Sequence, residues 1–298
     1  MINKALAFVF PGQGSQYVGM SVTATSAASE AVWHTVRNIM GRSFLELLRT
    51  GPSEELNKTQ NAQPALLAVS IAHLTQWRAE RQPEPRMLAG HSAGQYAAAV
   101  ASGALSLADA LILVQTRARL MSESANGAMA AIVGLPDRRQ ASFLNRAAEI
   151  GLVGLAGDNA PGQFVISGQP AAVRAAMTLA TQCGARKVVL LPIGVASHSP
   201  LMKSVRDQMA LPLKRVNWHA IEIPIMSNVQ PRLLTAVDEF KAELSDHLTA
   251  PVRWREAVQA MIGEGINHFA EVGPGRVLSG LIKRIDGAVA TQPLDVSS

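Results

Sequence analysis

Cysteine, aromatic residues and long apolar runs are all scarce in this sequence of 298 residues. The single cysteine, Cys183, cannot form an intrachain disulfide, which excludes a small disulfide-stapled scaffold. No apolar run reaches the roughly 18 residues that a membrane-spanning helix needs. The apolar segment at 5–10 is short for a signal peptide and meets Pro11-Gly12 instead of a small-residue cleavage site. We therefore expect a cytoplasmic protein with no membrane partner.

Charged residues are also few and scattered. They make up 16% of the chain, with a net charge of +5 and no block of five or more Lys or Arg, and aromatic residues make up 4%. A nucleic-acid partner is not expected, because basic clusters and stacking side chains are both lacking. The positive charge suits an acidic partner better, such as a phosphorylated cofactor or an acidic protein surface. No His, Cys, Asp or Glu cluster has metal-ligand spacing, so no metal site is expected.

The hydrophobic content of 48% is high enough to build a large core, and its pattern predicts an α/β fold. Strand-like runs at 5–10 and 87–89 alternate with helix-like runs at 62–80 and 107–121, which is typical of parallel βα units. After residue 197 the pattern returns to such units, at 221–226, 251–263 and 268–272.

Between these two parts the pattern changes to a compact series. The predicted elements are a strand at 129–133, a helix at 136–150, strands at 152–155 and 163–167, a helix at 170–183 and a strand at 186–191. The order βαββαβ is the signature of a ferredoxin-like fold. The sequence therefore predicts a large domain with a parallel sheet, formed by 1–125 and 198–298, and an inserted ferredoxin-like small domain at 126–197.

A Gly-His-Ser-Ala-Gly motif at 90–94 follows a short apolar strand and precedes an alanine-rich helical run. This context is that of a nucleophile elbow. The two glycines let the turn tighten and expose the hydroxyl of Ser92, and the N-terminus of the following helix stabilises negative charge beside it. Ser92 is the candidate nucleophile. The alternative is an ordinary Gly-Ser turn that caps a helix.

A serine needs a base within hydrogen-bond reach to act as a nucleophile, so the seven histidines become candidates. His198 follows a predicted strand at 188–193 and precedes Ser199-Pro200, a typical helix start. Strand-to-helix junctions of this kind line α/β active sites, which favours His198 as the base. The other histidines are disfavoured by placement (His34, His73 and His91) or remain open (His219, His247 and His268).

The helix predicted at 107–121 carries two arginines on different faces. Arg117 has apolar residues at neighbouring helical positions, whereas polar residues surround Arg119. A guanidinium among apolar side chains needs a carboxylate or a phosphate, because it cannot lose its proton. The alternative for Arg117 is an internal ion pair with an acidic residue from elsewhere in the chain.

The segment at 10–16, Phe-Pro-Gly-Gln-Gly-Ser-Gln, places a glycine-rich turn after the first strand. It lacks the spacing of phosphate-binding loops, since Tyr17 stands where a third glycine is needed and no Gly-Lys-Ser or Gly-Lys-Thr step follows. Such a loop can present a side-chain amide or a backbone N–H to an oxyanion. A simple strand-ending turn is the alternative.

Together these motifs resemble the malonyl-CoA:acyl carrier protein transacylase family, from residue 8 to about residue 285. The resemblance also includes 159–163 (Asn-Ala-Pro-Gly-Gln), Ser197-His198 and 271–275 (Glu-Val-Gly-Pro-Gly). It implies an α/β hydrolase-like large domain with an inserted ferredoxin-like domain and an active site between them. It also implies ping-pong transfer of malonyl from malonyl-CoA to the thiol of an acyl carrier protein, without a cofactor beyond the coenzyme A thioester.

The resemblance gives each candidate residue a role. Ser92 would carry the acyl group, His198 would act as general base, and a backbone carbonyl near position 250 would orient that histidine. The residues implied in substrate binding are Arg117 for the malonyl carboxylate, Gln13 and the backbone N–H of Ala93 for the oxyanion, and Gln63 and Asn159 as pocket residues.

Four positions depart from the family pattern: Gln95 stands where glutamate is common, Ala93 where a larger residue is common, Gly157 where many members have asparagine, and Ala250 where a polar amide is frequent. The segment Val195-Ala196-Ser197-His198 does not separate malonyl from methylmalonyl, and malonyl is expected as the commonest substrate of the family. The four departures leave the setting open: fatty acid synthesis, polyketide synthesis, or the epsilon subunit of malonate decarboxylase. Two alternatives remain. A serine hydrolase or thioesterase could use Asp246-His247 late in the chain, and a non-catalytic docking subunit would need none of these side chains.

Overall fold

The computed structural model describes residues 5–124 and 126–295. In chain order the strands are β1 (Leu6–Phe10), β2 (Met87–Gly90), β3 (Ala128–Val133), β4 (Val153–Ala160), β5 (Gln163–Gly168), β6 (Lys187–Leu190), β7 (Ile225–Met226), β8 (Leu233–Leu234), β9 (His268–Glu271) and β10 (Ala290–Pro293). The α-helices are α1 (Glu30–Met40), α2 (Arg42–Thr50), α3 (Ser53–Asn57), α4 (Thr59–Ala79), α5 (Gly94–Ala101), α6 (Leu107–Glu123), α7 (Asp137–Ile150), α8 (Pro170–Gln182), α9 (Lys203–Arg215), α10 (Val237–Asp246), α11 (Trp254–Gly263) and α12 (Val277–Ile285).

The larger sheet has the strand order β10-β9-β1-β2-β7-β8 and is parallel except at β8. All five residues of β1 are buried, as expected for a central parallel strand covered on both faces. Successive side chains of a strand point to opposite faces. Phe8 and Phe10 accordingly pack in the core formed with α4, α5 and α6, whereas Ala7 and Val9 pack in the core formed with α11 and α12.

The smaller sheet has the order β4-β5-β3-β6, and every neighbouring pair in it is antiparallel. Helices α7 and α8 contribute Phe143, Ala147, Val173 and Leu179 to a core with this sheet. This is the ferredoxin-like βαββαβ unit, so the predicted fold class is confirmed. The predicted domain extents remain a prediction, and positions 1–4, 125 and 296–298 within them lie outside the described residues.

Several element boundaries differ from the predicted ones. Strand β6 ends at Leu190, so the strand expected at 188–193 is too long; the chain there leaves the small sheet, and Gly194 accepts a hydrogen bond from the N–H of Gly127 instead. Strand β7 has only two residues and begins directly after Pro224, which has no N–H to donate. Helix α4 begins at Thr59, earlier than the predicted 62, and Pro64 lies inside it.

A backbone connection next to the site joins the small sheet to the segment that precedes α11. Val252 donates an N–H to Ala156 of β4 (2.9 Å) and accepts one from Asp158 (2.9 Å). Val252 therefore forms a parallel bridge with Gly157 of β4, and α11 begins only at Trp254, later than the predicted 251. Among residues 5–124 and 126–295, none of the helices combines the length and the hydropathy of a membrane span.

Candidate active site

Ser92 lies in a sharp turn between the end of β2 and the start of α5. Its φ angle is +53°, a left-handed conformation that is costly for a residue with a side chain. The turn is tight enough to require glycine on both sides. A Cβ atom on Gly90 would lie 2.1 Å from the backbone nitrogen of Gln95, and one on Gly94 would lie 2.2 Å from the carbonyl oxygen of Phe10. The geometry is that of the nucleophile elbow that the motif indicates.

His198 lies beside this serine, with its Nε2 atom 2.8 Å from the Ser92 hydroxyl oxygen. Its Nδ1 atom is 2.5 Å from the backbone carbonyl oxygen of His247, and since a carbonyl only accepts, Nδ1 carries the proton. Nε2 is then free to accept the serine proton. Burial, followed by the positive charge of Arg117, lowers the pKa of His198 to about 3. The imidazole is therefore neutral at pH 7 and able to act as a base.

Arg117 approaches the same serine from α6 and is only 1% exposed. Its Nη1 atom donates to Gln63 Oε1 (2.5 Å), and its Nη2 atom lies 3.4 Å from the Ser92 hydroxyl and 3.5 Å from His247 Nε2. Its Nε atom has no partner in the described part of the chain. None of the described Asp or Glu side chains forms a salt bridge with Arg117, so the internal ion pair considered for it is not there. A buried cation without a counter-ion is a site for an anion.

Gln13 and Ala93 contribute backbone N–H groups near the elbow. The side-chain amide of Gln13 is already engaged, because its Nε2 atom donates to Thr59 Oγ1 (3.2 Å) and to the Asn57 carbonyl (3.5 Å). Its backbone N–H and that of Ala93 have no hydrogen-bond partner among the described residues. Of the two groups that the loop could present to an oxyanion, the backbone N–H is thus the one that is free.

One cavity of about 220 Å³ opens between the two sheets over these residues. Its apolar wall includes Val165, Leu191 and Ile193 from the small domain and Val277 and Leu281 from α12. All seven predicted site residues line it: Gln13, Gln63, Ser92, Ala93, Arg117, Asn159 and His198. The structure thus brings together residues as far apart in the sequence as Gln13 and His198, which are separated by 185 positions.

The other histidines do not compete for the role of base. His91 turns away from Ser92 and hydrogen-bonds Asn159, with 3.1 Å between Nε2 and Oδ1. Among the described residues, no further histidine besides His91 and His198 lines the cavity. The Asp246-His247 pair of the hydrolase alternative does not form a triad, because His198 is oriented by a carbonyl and the Asp246 carboxylate is exposed near Arg206. No group of three or more potential metal ligands occurs within residues 5–124 and 126–295.

Three polar residues near the elbow were missed or misjudged from the sequence. Asn228 and Glu243 lie behind the elbow, where Asn228 Oδ1 accepts the Ser92 N–H (2.9 Å) and Glu243 accepts the Asn228 N–H (2.6 Å). His247, considered as a possible base, contributes its carbonyl instead. One signal could have found Asn228: it follows β7, which ends at the same sheet edge as β1 and β2, where α/β sites form.

The comparisons with known proteins agree with this geometry. The family model described as an acyl transferase domain matches residues 7–287. The chain is 40% identical over 297 residues to the malonyl CoA-acyl carrier protein transacylase of Escherichia coli, covering 98% of this chain and 96% of the relative. It is 38% identical to the transacylase of the same name from Bacillus subtilis, covering 96% and 92%.

Solved structures give the same result. The crystal structure of a malonyl-CoA:acyl carrier protein transacylase from Xanthomonas oryzae superimposes with a TM-score of 0.93 at 41% identity, covering 100% of this chain and 96% of that one. A malonyl-transacylase in complex with its type II polyketide acyl-carrier protein superimposes with a TM-score of 0.93 at 34% identity, covering 97% and 96%. The chain therefore belongs to the malonyl-CoA:acyl carrier protein transacylase family of acyl transferases.

Proposed function

We propose that this protein transfers a malonyl group from malonyl-CoA to the phosphopantetheine thiol of an acyl carrier protein, through an acyl-enzyme at Ser92. The observation that carries this proposal is Arg117: a buried guanidinium without an acidic partner, 3.4 Å from the nucleophile. It provides a site for the free carboxylate of the malonyl group. An acetyl thioester has no such carboxylate, so the same site discriminates between the two donors.

In the first half-reaction the Ser92 oxygen attacks the thioester carbonyl while His198 Nε2 takes the hydroxyl proton. The backbone N–H groups of Gln13 and Ala93 stabilise the oxyanion of the tetrahedral intermediate. The intermediate collapses, the carbon–sulfur bond breaks, and His198 returns its proton to the departing coenzyme A sulfur. Malonyl-Ser92 and free coenzyme A result.

The second half-reaction runs the same steps in reverse with a different thiol. His198 takes the proton of the carrier's phosphopantetheine thiol, and the thiolate attacks the malonyl-serine ester. When the second intermediate collapses, His198 protonates Ser92 and malonyl-carrier leaves. The chain's own serine, histidine and arginine perform every step, and coenzyme A enters only as part of the substrate, so this chemistry calls for no cofactor.

Arg117 also explains why the base is neutral before substrate binds. Its charge lowers the pKa of His198, second only to burial. A bound malonyl carboxylate offsets that charge and thereby raises the basicity of His198 when the substrate is in place. Gln63 accepts a hydrogen bond from Nη1 of Arg117 and keeps the guanidinium plane directed toward the serine.

The biological setting follows from the carrier that accepts the malonyl group. The relatives named above support fatty acid or polyketide synthesis. A role as the epsilon subunit of malonate decarboxylase stays a prediction.

The test is intact-protein mass spectrometry after brief incubation with malonyl-CoA, methylmalonyl-CoA or acetyl-CoA, with and without a purified holo carrier protein. We expect a malonyl adduct on the wild-type protein that Ser92→Ala lacks and that the holo carrier removes. Loss of the adduct to water at the same rate without carrier would indicate a hydrolase. Absence of any adduct would indicate a non-catalytic docking subunit.

A further inference from the structure

A cluster of buried polar side chains lies directly behind the elbow, outside the cavity. At its centre Asn228, 1% exposed, bridges the two ends of the turn. Its Oδ1 atom accepts the N–H of Ser92 (2.9 Å), and its Nδ2 atom donates to the carbonyl of Gly90 (2.8 Å). One side chain thus hydrogen-bonds the backbone on both sides of His91.

These two hydrogen bonds take the place of β2–β7 strand pairing, which ends before the turn. On this side of β2 the pairing with β7 stops at Ala89 and Met226. Beyond that point the carbonyl of the buried Gly90 and the N–H of the half-buried Ser92 still require partners. A strained residue such as Ser92, with φ +53°, keeps its conformation only where its surroundings fix it. Asn228 supplies that fixation.

The amide can take only one orientation here. Rotating it by 180° would set its NH2 group against the Ser92 N–H and its oxygen against the Gly90 carbonyl. Asparagine is also the side chain of this length that offers an acceptor and a donor together, since aspartate lacks the donor when ionised. The geometry therefore specifies Asn228 by residue type as well as by position.

Glu243 on α10 holds this asparagine in place from behind. It is 5% exposed and accepts hydrogen bonds from the Ser227 hydroxyl (2.5 Å), the Asn228 N–H (2.6 Å) and the Gln95 side chain (3.3 Å). Ser227 in turn accepts the N–H groups of Val229 and Gln230. The carboxylate thus anchors the turn that carries Asn228. Within the described chain it forms no salt bridge with a Lys or Arg.

We propose that Asn228 is a positioning residue for the nucleophile Ser92, and that Glu243 acts through Asn228 as its support. The inference rests on the proposed acylation of Ser92. Neither residue lines the cavity or touches Arg117, so substrate binding should not depend on them. Their loss should instead lower the rate of acylation, because a small displacement of a reacting group costs about 100-fold in rate.

The experiment measures single-turnover acylation by malonyl-CoA, using rapid quenching and intact mass, for the wild type, Asn228→Ala and Glu243→Gln. The matched control is Glu239→Gln, the same change one helical turn earlier on α10, at a carboxylate that is 40% exposed and pairs with Arg232 instead of the elbow. We expect Asn228→Ala to lower the maximal acylation rate about 100-fold with KM changed less than about threefold, and Glu243→Gln to act in the same direction more weakly. The control should match the wild type. A raised KM at an unchanged maximal rate would overturn the proposal.

Asn228→Asp provides a second readout, the pH dependence of the acylation rate, which would not change if Asn228 had only a structural role. The ionised aspartate keeps the acceptor for Ser92 but turns a second acceptor toward the Gly90 carbonyl. When protonated, it regains the donor. The charged and titratable groups around it are Glu243 on the α10 side, and Arg117 and His198 beyond Ser92. The acylation rate of this variant, divided by that of the wild type, should therefore rise as the pH falls from 8 to 5.

A ratio of Asn228→Asp to wild-type acylation rates that stays constant between pH 8 and 5 would overturn the proposal. This measurement replaces the first one if Asn228→Ala does not fold. Failure of the proposed function gives a different result, because the wild type itself would then form no malonyl adduct on Ser92.

Discussion

The Nδ1 atom of His198 lies 2.5 Å from the backbone carbonyl oxygen of His247. The catalytic histidine is thus oriented by a main-chain group where the familiar serine triad uses a carboxylate. A carbonyl fixes the Nδ1–H tautomer without adding a negative charge, which agrees with the strongly lowered pKa of the imidazole.

The first prediction follows from this contact, because a side-chain change at position 247 leaves the carbonyl in place. His247→Gln keeps an acceptor for Arg117 and should change kcat/KM for malonyl transfer by less than about tenfold, or about 1.4 kcal/mol. His198→Ala removes the base and should lower it by about 10²–10⁴-fold. Steady-state transfer assays on both variants test this. Equal losses would mean that the imidazole of His247, and not its carbonyl, is what His198 requires.

The second prediction concerns donor selectivity. Arg117→Ala should lower kcat/KM for malonyl-CoA by about 100-fold, near 3 kcal/mol, because a charge-assisted hydrogen-bonding partner of the carboxylate is lost. Acylation by acetyl-CoA should change little. Arg119→Ala is the matched control: Arg119 lies on the same helix, is exposed, and pairs with Glu123 at 2.8 Å. Parallel losses for both donors in Arg117→Ala would remove the carboxylate role.

The third prediction is a pH profile. With its pKa lowered to about 3, His198 in the free enzyme stays neutral as the pH falls from 8 to about 5. The value of kcat/KM should therefore show no decrease around pH 6.5, where an ordinary histidine becomes protonated. Removing the positive charge in Arg117→Gln raises the pKa of His198 and therefore moves the acid limb to higher pH.

Slow acylation by acetyl-CoA, followed by intact mass, measures this profile without involving the carboxylate site. Arg119→Gln should leave the limb where it is in the wild type. An acid limb that stays at the same pH in Arg117→Gln would show that the guanidinium does not act on His198 through its charge.

The sequence predicted the fold well where local signals are strong. The apolar runs of β1 and β2, each ending in glycine or proline, indicated the parallel strands, and the βαββαβ order of the small domain was read from alternating short segments. Strand β4 was predicted to end at 155 but extends to Ala160. Gly157 and Asp158 are poor strand formers, and only their pairing with β5 and the contacts with Val252 hold them extended.

The residues of the candidate site also differ in how well local sequence signals predict them. Ser92 and Arg117 were singled out because glycines or apolar neighbours within a few positions mark them as unusual. Asn228 had no such mark among its sequence neighbours. Only its place after β7 pointed to it, since its role depends on a hydrogen bond to a residue 136 positions away. The His247 carbonyl was beyond reach for a different reason: every residue has a carbonyl, so residue type carries no signal for it.

The last prediction tests how tightly the elbow is packed. In Gly94→Ala the new methyl group would meet the backbone of Phe10, at 2.2 Å from its oxygen and 2.9 Å from its carbon. Backbone atoms cannot swing aside as a flexible side chain can, so we expect a loss of about 3 kcal/mol in the free energy of unfolding. The end of β1 and the loop after Phe10 must also shift to make room for the methyl group. This displacement should abolish acylation of Ser92.

Gly280 in the middle of α12 is the matched control, because a methyl group there meets no heavy atom within 4 Å beyond the backbone of its own helix. Gly280→Ala should raise the free energy of unfolding by about 1 kcal/mol through helix propensity alone. Urea unfolding and malonyl labelling of both variants make the comparison. If the two alanines had the same effect, the close approach of α5 to β1 would not constrain the elbow. Changes of opposite sign in the free energy of unfolding would show that Gly94 is required for packing against β1, independently of its effect on acylation.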